Sequence, residues 1–149
     1  MTEANTSDRS RGLALGRLDQ LLGFHLRMAS AAVARDFAAV MEGLDLTQKQ
    51  CAVLELIDAN EGVSQIDLAA SLGTDRATMM AVVDRLSARR LLSRRRSTVD
   101  RRRQVLALSL AGRRLLSDAR LRIARHESAY RATFGEARIE RLIALLRDF

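Results

Sequence analysis

Helix-start signals recur at short intervals through the middle of this chain, and they constrain its fold more than any other feature. Thr47-Gln48-Lys49-Gln50 has capping-box form: the Thr47 hydroxyl can accept from the free N–H groups of the first turn while Gln50 reaches back. Ser64-Gln65-Ile66-Asp67 repeats the logic, and a third start falls at Thr74 or Asp75. Asn60-Glu61-Gly62 and Gly73 supply the stops between them. The segments so bounded carry apolar residues at helical spacing. Val53, Leu54, Leu56 and Ile57 lie in the first, and Leu68, Ala69 and Leu72 in the second. In the third, Met79, Val82, Val83 and Leu86 form an inward stripe at i, i+3, i+4 and i+7.

Only a residue or two separates Gly73 from the third of these helices, so the second and third have the form of a helix-turn-helix. The third would be the recognition helix. After Leu91-Leu92 the period changes. Ser93–Arg96 and Gln104–Leu108 read as short strands, with Leu106 and Leu108 alternating inward around a charged tip, Ser97 to Arg103. A hairpin directly after a helix-turn-helix is a wing. Before this block, Leu15, Leu18, Leu22, Leu26, Ala29, Val33, Phe37 and Val40 predict one long amphipathic helix over residues 13–41, with Gly43 allowing it to end. After it, Ser109 caps a helix running to about Arg131, and Thr133-Phe134-Gly135-Glu136 predicts a further capping box before a last helix bearing Ile139, Leu142, Ile143 and Leu146. Residues 1–12 read as a disordered tail. The expected fold class is mainly α with a small β-hairpin wing.

The charge follows the same block. Ten arginines stand against three aspartates between Asp75 and Arg103, a balance of +7. The whole chain is also +7, so everything outside that stretch is neutral. A basic excess confined to one stretch of an otherwise neutral scaffold is the footprint of a nucleic-acid-binding element. Aromatic residues are only 3%, which argues against base stacking and so against RNA or single strands. One cysteine, Cys51, rules out an intramolecular disulfide framework, and no apolar run approaches membrane-spanning length. A cytoplasmic protein is expected. Two isolated histidines, His25 and His126, with one cysteine give no credible triad or metal cluster, and there is no Gly-rich phosphate loop. Neither enzyme activity, a metal nor a cofactor is expected.

Asp100-Arg101-Arg102 followed by Val105-Leu106-Ala107-Leu108-Ser109-Leu110-Ala111-Gly112 is similar to the wing signature of the MarR family of bacterial winged helix-turn-helix regulators. That signature is an Asp-x-Arg tip running into a Leu-x-Leu-Thr-x-x-Gly junction, and here Ser109 keeps the capping hydroxyl. Val83-Asp84-Arg85-Leu86 and Leu46-Thr47-x-x-Gln50 also match family patterns. The resemblance spans residues 13–149, read as one domain. It implies a homodimer, with residues 13–45 and 111–149 as dimerisation helices and 46–110 as the DNA-binding lobe. The departure is at Met80-Ala81, where many members carry polar or basic residues. The terminal helices support dimerisation independently, being strongly apolar for a small fold with little of its own to cover them.

A dimer presenting two recognition helices reads half-sites about 34 Å apart on double-stranded DNA, so a palindromic operator is expected. At the start of the recognition helix Arg76 and Thr78 can reach phosphates or base edges, with Arg85 two turns on and Met80 offering apolar contact. Arg102 is the candidate for the minor groove, where narrow A·T tracts attract guanidinium. Arg94, Arg95, Arg96, Arg101 and Arg103 read as phosphate contacts, although strand alternation turns some of them away. Asp100 is expected to brace the tip arginines. The resemblance further implies a repressor released by a small molecule, and Gly23-Phe24-His25-Leu26-Arg27 looks like members that sense aromatic carboxylates. His25, Arg27, Met28 and Cys51 are the candidate lining. The competing reading is an architectural DNA-binding protein without sequence preference or ligand response.

Overall fold

The computed structural model describes residues 13–100 and 103–149. The expected tail at 1–12 and two expected DNA contacts, Arg101 and Arg102, lie outside them. The described residues fall into two compact units, one ending at Val33 and the other covering Ala34–Phe149.

In the first unit a short 3-10 helix, Gly16–Gln20, precedes α1, Leu22–Val40, which continues into the second. The single helix predicted from residue 13 is therefore interrupted. Leu21 is extended (φ −96°, ψ 114°), and Gly16 sits in left-handed backbone at φ +54°. The His25 ring reinforces the break, its Nε2 lying 2.8 Å from the Asp19 carbonyl oxygen as a hydrogen bond. Apolar periodicity predicts which side of a helix is inward but not a turn fixed by one glycine and one imidazole.

The second unit contains α2 (Gln48–Ala59), α3 (Gln65–Ser71), α4 (Arg76–Ala88), β1 (Leu92–Arg96), β2 (Gln104–Leu108), α5 (Leu110–Phe134) and α6 (Glu136–Leu146). Two of the three predicted capping boxes form, at Thr47 with Gln50 and at Ser64 with Asp67. The third start is Asp75, whose carboxylate accepts from the Thr78 N–H. The predicted box at Thr133 does not form. α5 runs on to Phe134, the Thr133 hydroxyl donates back to the Ala129 carbonyl, and Gly135 turns the chain at φ +85°. Glu136 pairs with Arg131 instead.

β1 and β2 are antiparallel, with Leu92 opposite Leu108 and Arg96 opposite Gln104. Leu106 and Leu108 face the core, as their alternation predicts. Leu54 of α2, Leu68 of α3, Met79 and Leu86 of α4 and Leu116 of α5 are fully buried, so four helices converge on one apolar centre. The hairpin is fixed to that centre at its base. The Leu91 carbonyl accepts from the Ser109 N–H at 3.0 Å, and the Ser109 hydroxyl both donates to the Arg90 carbonyl and caps α5. Gly112 packs directly on the Leu91 carbonyl: a Cβ there would lie 1.9 Å from its oxygen.

Candidate nucleic-acid interface

The capping of α4 determines what its first turn offers. Asp75 precedes the helix and accepts both the Thr78 N–H (2.8 Å) and the Thr78 O–H (2.6 Å). These bonds hold the Asp75 carboxyl below the usual carboxylate range. Thr78 is exposed, but its hydroxyl proton is committed to Asp75, leaving the oxygen as an acceptor. Arg76 is exposed at the first helical position. On the outward side, Met80 and Ala81 are exposed, as is Arg85 further along, while Met79, Val82, Val83 and Leu86 face the core. The helix thus presents one cation, one hydroxyl, an apolar step and a second cation.

One cation near this helix is not visible to sequence reasoning. Lys49, in the first turn of α2, donates from Nζ to the Thr74 Oγ1 at 3.1 Å, and Thr74 immediately precedes the α4 cap. It is the sole lysine of the chain and lies outside the basic stretch. No local pattern marks it, because the contact joins two separate helix starts.

The wing arginines divide. Arg94 lies opposite Leu106, which places it on the core-facing side of the hairpin, and it pairs with Asp84 of α4. Arg103 pairs with Asp67 and donates to the Ser64 hydroxyl. Both pairs are solvent-exposed, so they orient these two guanidinium groups toward neighbouring elements without removing their charge. Arg95 and Arg96 are exposed. The Asp100 backbone helps to close the tip, its N–H donating to Ser97 Oγ and its carbonyl accepting from the Arg103 N–H.

The His25 ring is bonded to the Asp19 carbonyl, Arg27 lies 6.0 Å above the Phe24 ring and Met28 is exposed. Cys51 is only 3% exposed, and burial pushes its thiol pKa up, which makes it a packing residue. Within the second unit, a crevice of about 540 Å³ opens between the end of α1 and the start of α2. Phe37, Met41 and Leu46 form its apolar wall, and Lys49 stands among its lining residues.

A family model described as "MarR family" matches residues 44–103, from the turn ahead of α2 to the wing tip. A protein of Thauera aromatica named as a transcriptional regulator for the hcr operon is 32% identical over 136 residues, covering 91% of this chain and 82% of that protein. The chain belongs to the MarR family. Solved structures of family members match nearly its whole length. The transcriptional repressor CouR bound to a 23-mer DNA duplex is 36% identical, with a TM-score of 0.87, covering 92% of this chain and 97% of CouR. CouR bound to p-coumaroyl-CoA is 35% identical, with a TM-score of 0.85 and coverage of 91% and 96%. This MarR-family protein is accordingly a transcriptional regulator with a winged helix-turn-helix, its wing and recognition helix formed by the elements described above.

Proposed function

We propose that this MarR-family regulator is a homodimeric repressor that reads a palindromic operator and is released by an aromatic acid or its thioester. The observation that carries the reading is the adjacency of α4 and β1. The Asp84–Arg94 pair joins them, so one body presents the outward residues of the recognition helix together with the arginines of the wing. The likeness to a repressor solved on a DNA duplex supports the same use of these elements.

On the DNA, Arg76, Thr78 and Met80 meet the major groove, with Arg85 behind them, while Arg95, Arg96 and Arg101 hold phosphates and Arg102 enters the minor groove. Lys49 adds a phosphate contact from α2, beside the α4 cap. Dimerisation is supported by apolar residues left exposed at both ends of the chain: Leu18 and Leu22 in the first unit, and Leu142, Leu145 and Leu146 of α6 in the second. The α1–α2 crevice offers the aromatic body of the effector an apolar wall of Phe37, Met41 and Leu46, with Lys49 as its one ammonium beside the carboxylates of Glu42 and Asp45. A solved relative holding an aromatic acyl-CoA supports that ligand class.

The test is selection of binding sites from genomic DNA, followed by titration with p-coumarate and p-coumaroyl-CoA. An inverted repeat with centres about one helical turn apart, released by either compound or by a related aromatic acid, is expected. Uniform coating of all duplexes would assign the protein an architectural role instead. On the selected duplex, Arg102→Ala weakens binding by about 1–3 kcal/mol, and an unchanged gel-shift titration removes Arg102 from the interface.

A further inference from the structure

Arg103 occupies an unusual junction. Its backbone closes the wing tip, because the Ser97 N–H donates to the Arg103 carbonyl and the Arg103 N–H donates to the Asp100 carbonyl, both at 2.9 Å. Its guanidinium leaves the wing altogether and reaches the start of α3, donating to Asp67 and, at 3.2 Å, to the Ser64 hydroxyl. The receiving carboxylate is not a loose surface group. The same Asp67 Oδ2 accepts the Ser64 N–H at 2.7 Å and the Ser64 O–H at 2.8 Å, so it is fixed by the capping box of α3. Further along β2, the Leu106 N–H donates to the Val63 carbonyl at 2.9 Å. The wing is therefore moored to the α2–α3 connection at two levels, one through backbone and one through this ion pair.

Arg101 and Arg102 lie in sequence between Asp100 and Arg103. Whatever fixes Arg103 fixes where that tip leaves the body. The body in question is the one that carries α4, since α3 packs against α4. A phosphate ligand needs none of this. An exposed arginine meant for the DNA backbone is served best by freedom from carboxylates, whereas a strut needs a rigid acceptor on the neighbouring element.

We infer that Arg103 is a positioning residue, the strut that sets the separation between recognition helix and wing through the Asp67–Ser64 cap, and not one of the cations that neutralise the operator. The inference rests on the DNA-binding reading above, and its test separates the two.

The strut and the phosphate ligand predict opposite signs for one substitution. Asp67→Asn keeps the shape of the cap but removes the charge that holds Arg103. For a strut, affinity falls, here by about tenfold. For a phosphate ligand restrained by Asp67, affinity rises. Arg103→Gln leaves the α3 cap intact, so its folding is not at issue. Its affinity should also fall about tenfold with the slope of log affinity against log salt unchanged, whereas a lost phosphate contact lowers that slope by about one. Hydroxyl-radical protection should weaken where the wing lies and persist over the half-site centres, a selectivity that general destabilisation would not produce. Because both substitutions break one link, the double variant should bind no worse than either single one.

The measurements use two duplexes, the one wild-type protein selects and one of mixed sequence. Tighter binding by Asp67→Asn, or a reduced salt slope with Arg103→Gln, overturns the strut. So does wild-type affinity in both variants. Failure of wild-type protein to select any sequence counts against the operator reading alone, since the sign of the Asp67→Asn effect on the mixed duplex still decides the role of Arg103.

Discussion

At the scale of single residues, the tightest constraint on this chain is steric. Gly112 is needed because α5 passes over the Leu91 carbonyl with no room for a side chain, and the obstructing atoms are backbone. Gly112→Ala should therefore cost roughly 3 kcal/mol, near the upper end for overpacking, and it should show as a large drop in the urea midpoint. A midpoint within experimental error of wild type would mean that α5 can shift away from the hairpin. The glycine was legible in sequence only as part of a motif, because its reason lies in a carbonyl on the other side of the wing. Thr78 shows a related limit. Its position at the start of the recognition helix was readable, yet its hydroxyl proton is committed to Asp75, which sequence alone did not assign.

At the scale of elements, local signals were read well wherever a cap was the whole story. The starts at Thr47, Ser64 and Asp75 depend on atoms three residues apart, and all form. The box at Thr133 failed because a glycine with positive φ and a long preceding helix compete for the same residues, and spacing does not rank such alternatives. The caps also carry a pH signature. The Asp67 carboxyl is held below the usual range chiefly by the Ser64 N–H and hydroxyl, with help from Arg103, and Asp75 by its bonds to Thr78. A depressed folded-state pKa gives stability that is present above the unfolded value, about 3.9, and lost as pH falls through the folded value. Thermal midpoints should thus be insensitive to these two groups from pH 7 down to about 5 and should decline below about 4. In Asp67→Asn the acid decline should be shallower. An equal decline in wild type and variant would show that other carboxylates govern it.

At the scale of the whole molecule, the order of elements was legible and the long-range pairings were not. Arg94, Arg103 and Lys49 each find a partner on a different element, and nothing in the local sequence of any of them names that partner. Within the basic stretch, Arg94 and Arg103 are tied to carboxylates of neighbouring elements, a division that charge counting along the sequence does not resolve. Assembly is a property of the same scale. Leu142, Ile143, Leu145 and Leu146 of α6 remain exposed, and contiguous apolar surface of this kind marks an interaction face. The dimer proposed above predicts that replacing Leu142 and Leu146 together with Glu gives a monomer in sedimentation velocity and abolishes tight operator binding. A variant that sediments as wild type would place the subunit interface elsewhere.

The near-exclusive use of guanidinium leaves one side-chain primary amine on the protein, the one that touches Thr74 ahead of the recognition helix. An amine-reactive fluorophore, once the α-amino group is blocked, would consequently attach at a single point at the mouth of the reading head. Its emission would then register the arrival and departure of a duplex without any engineered cysteine.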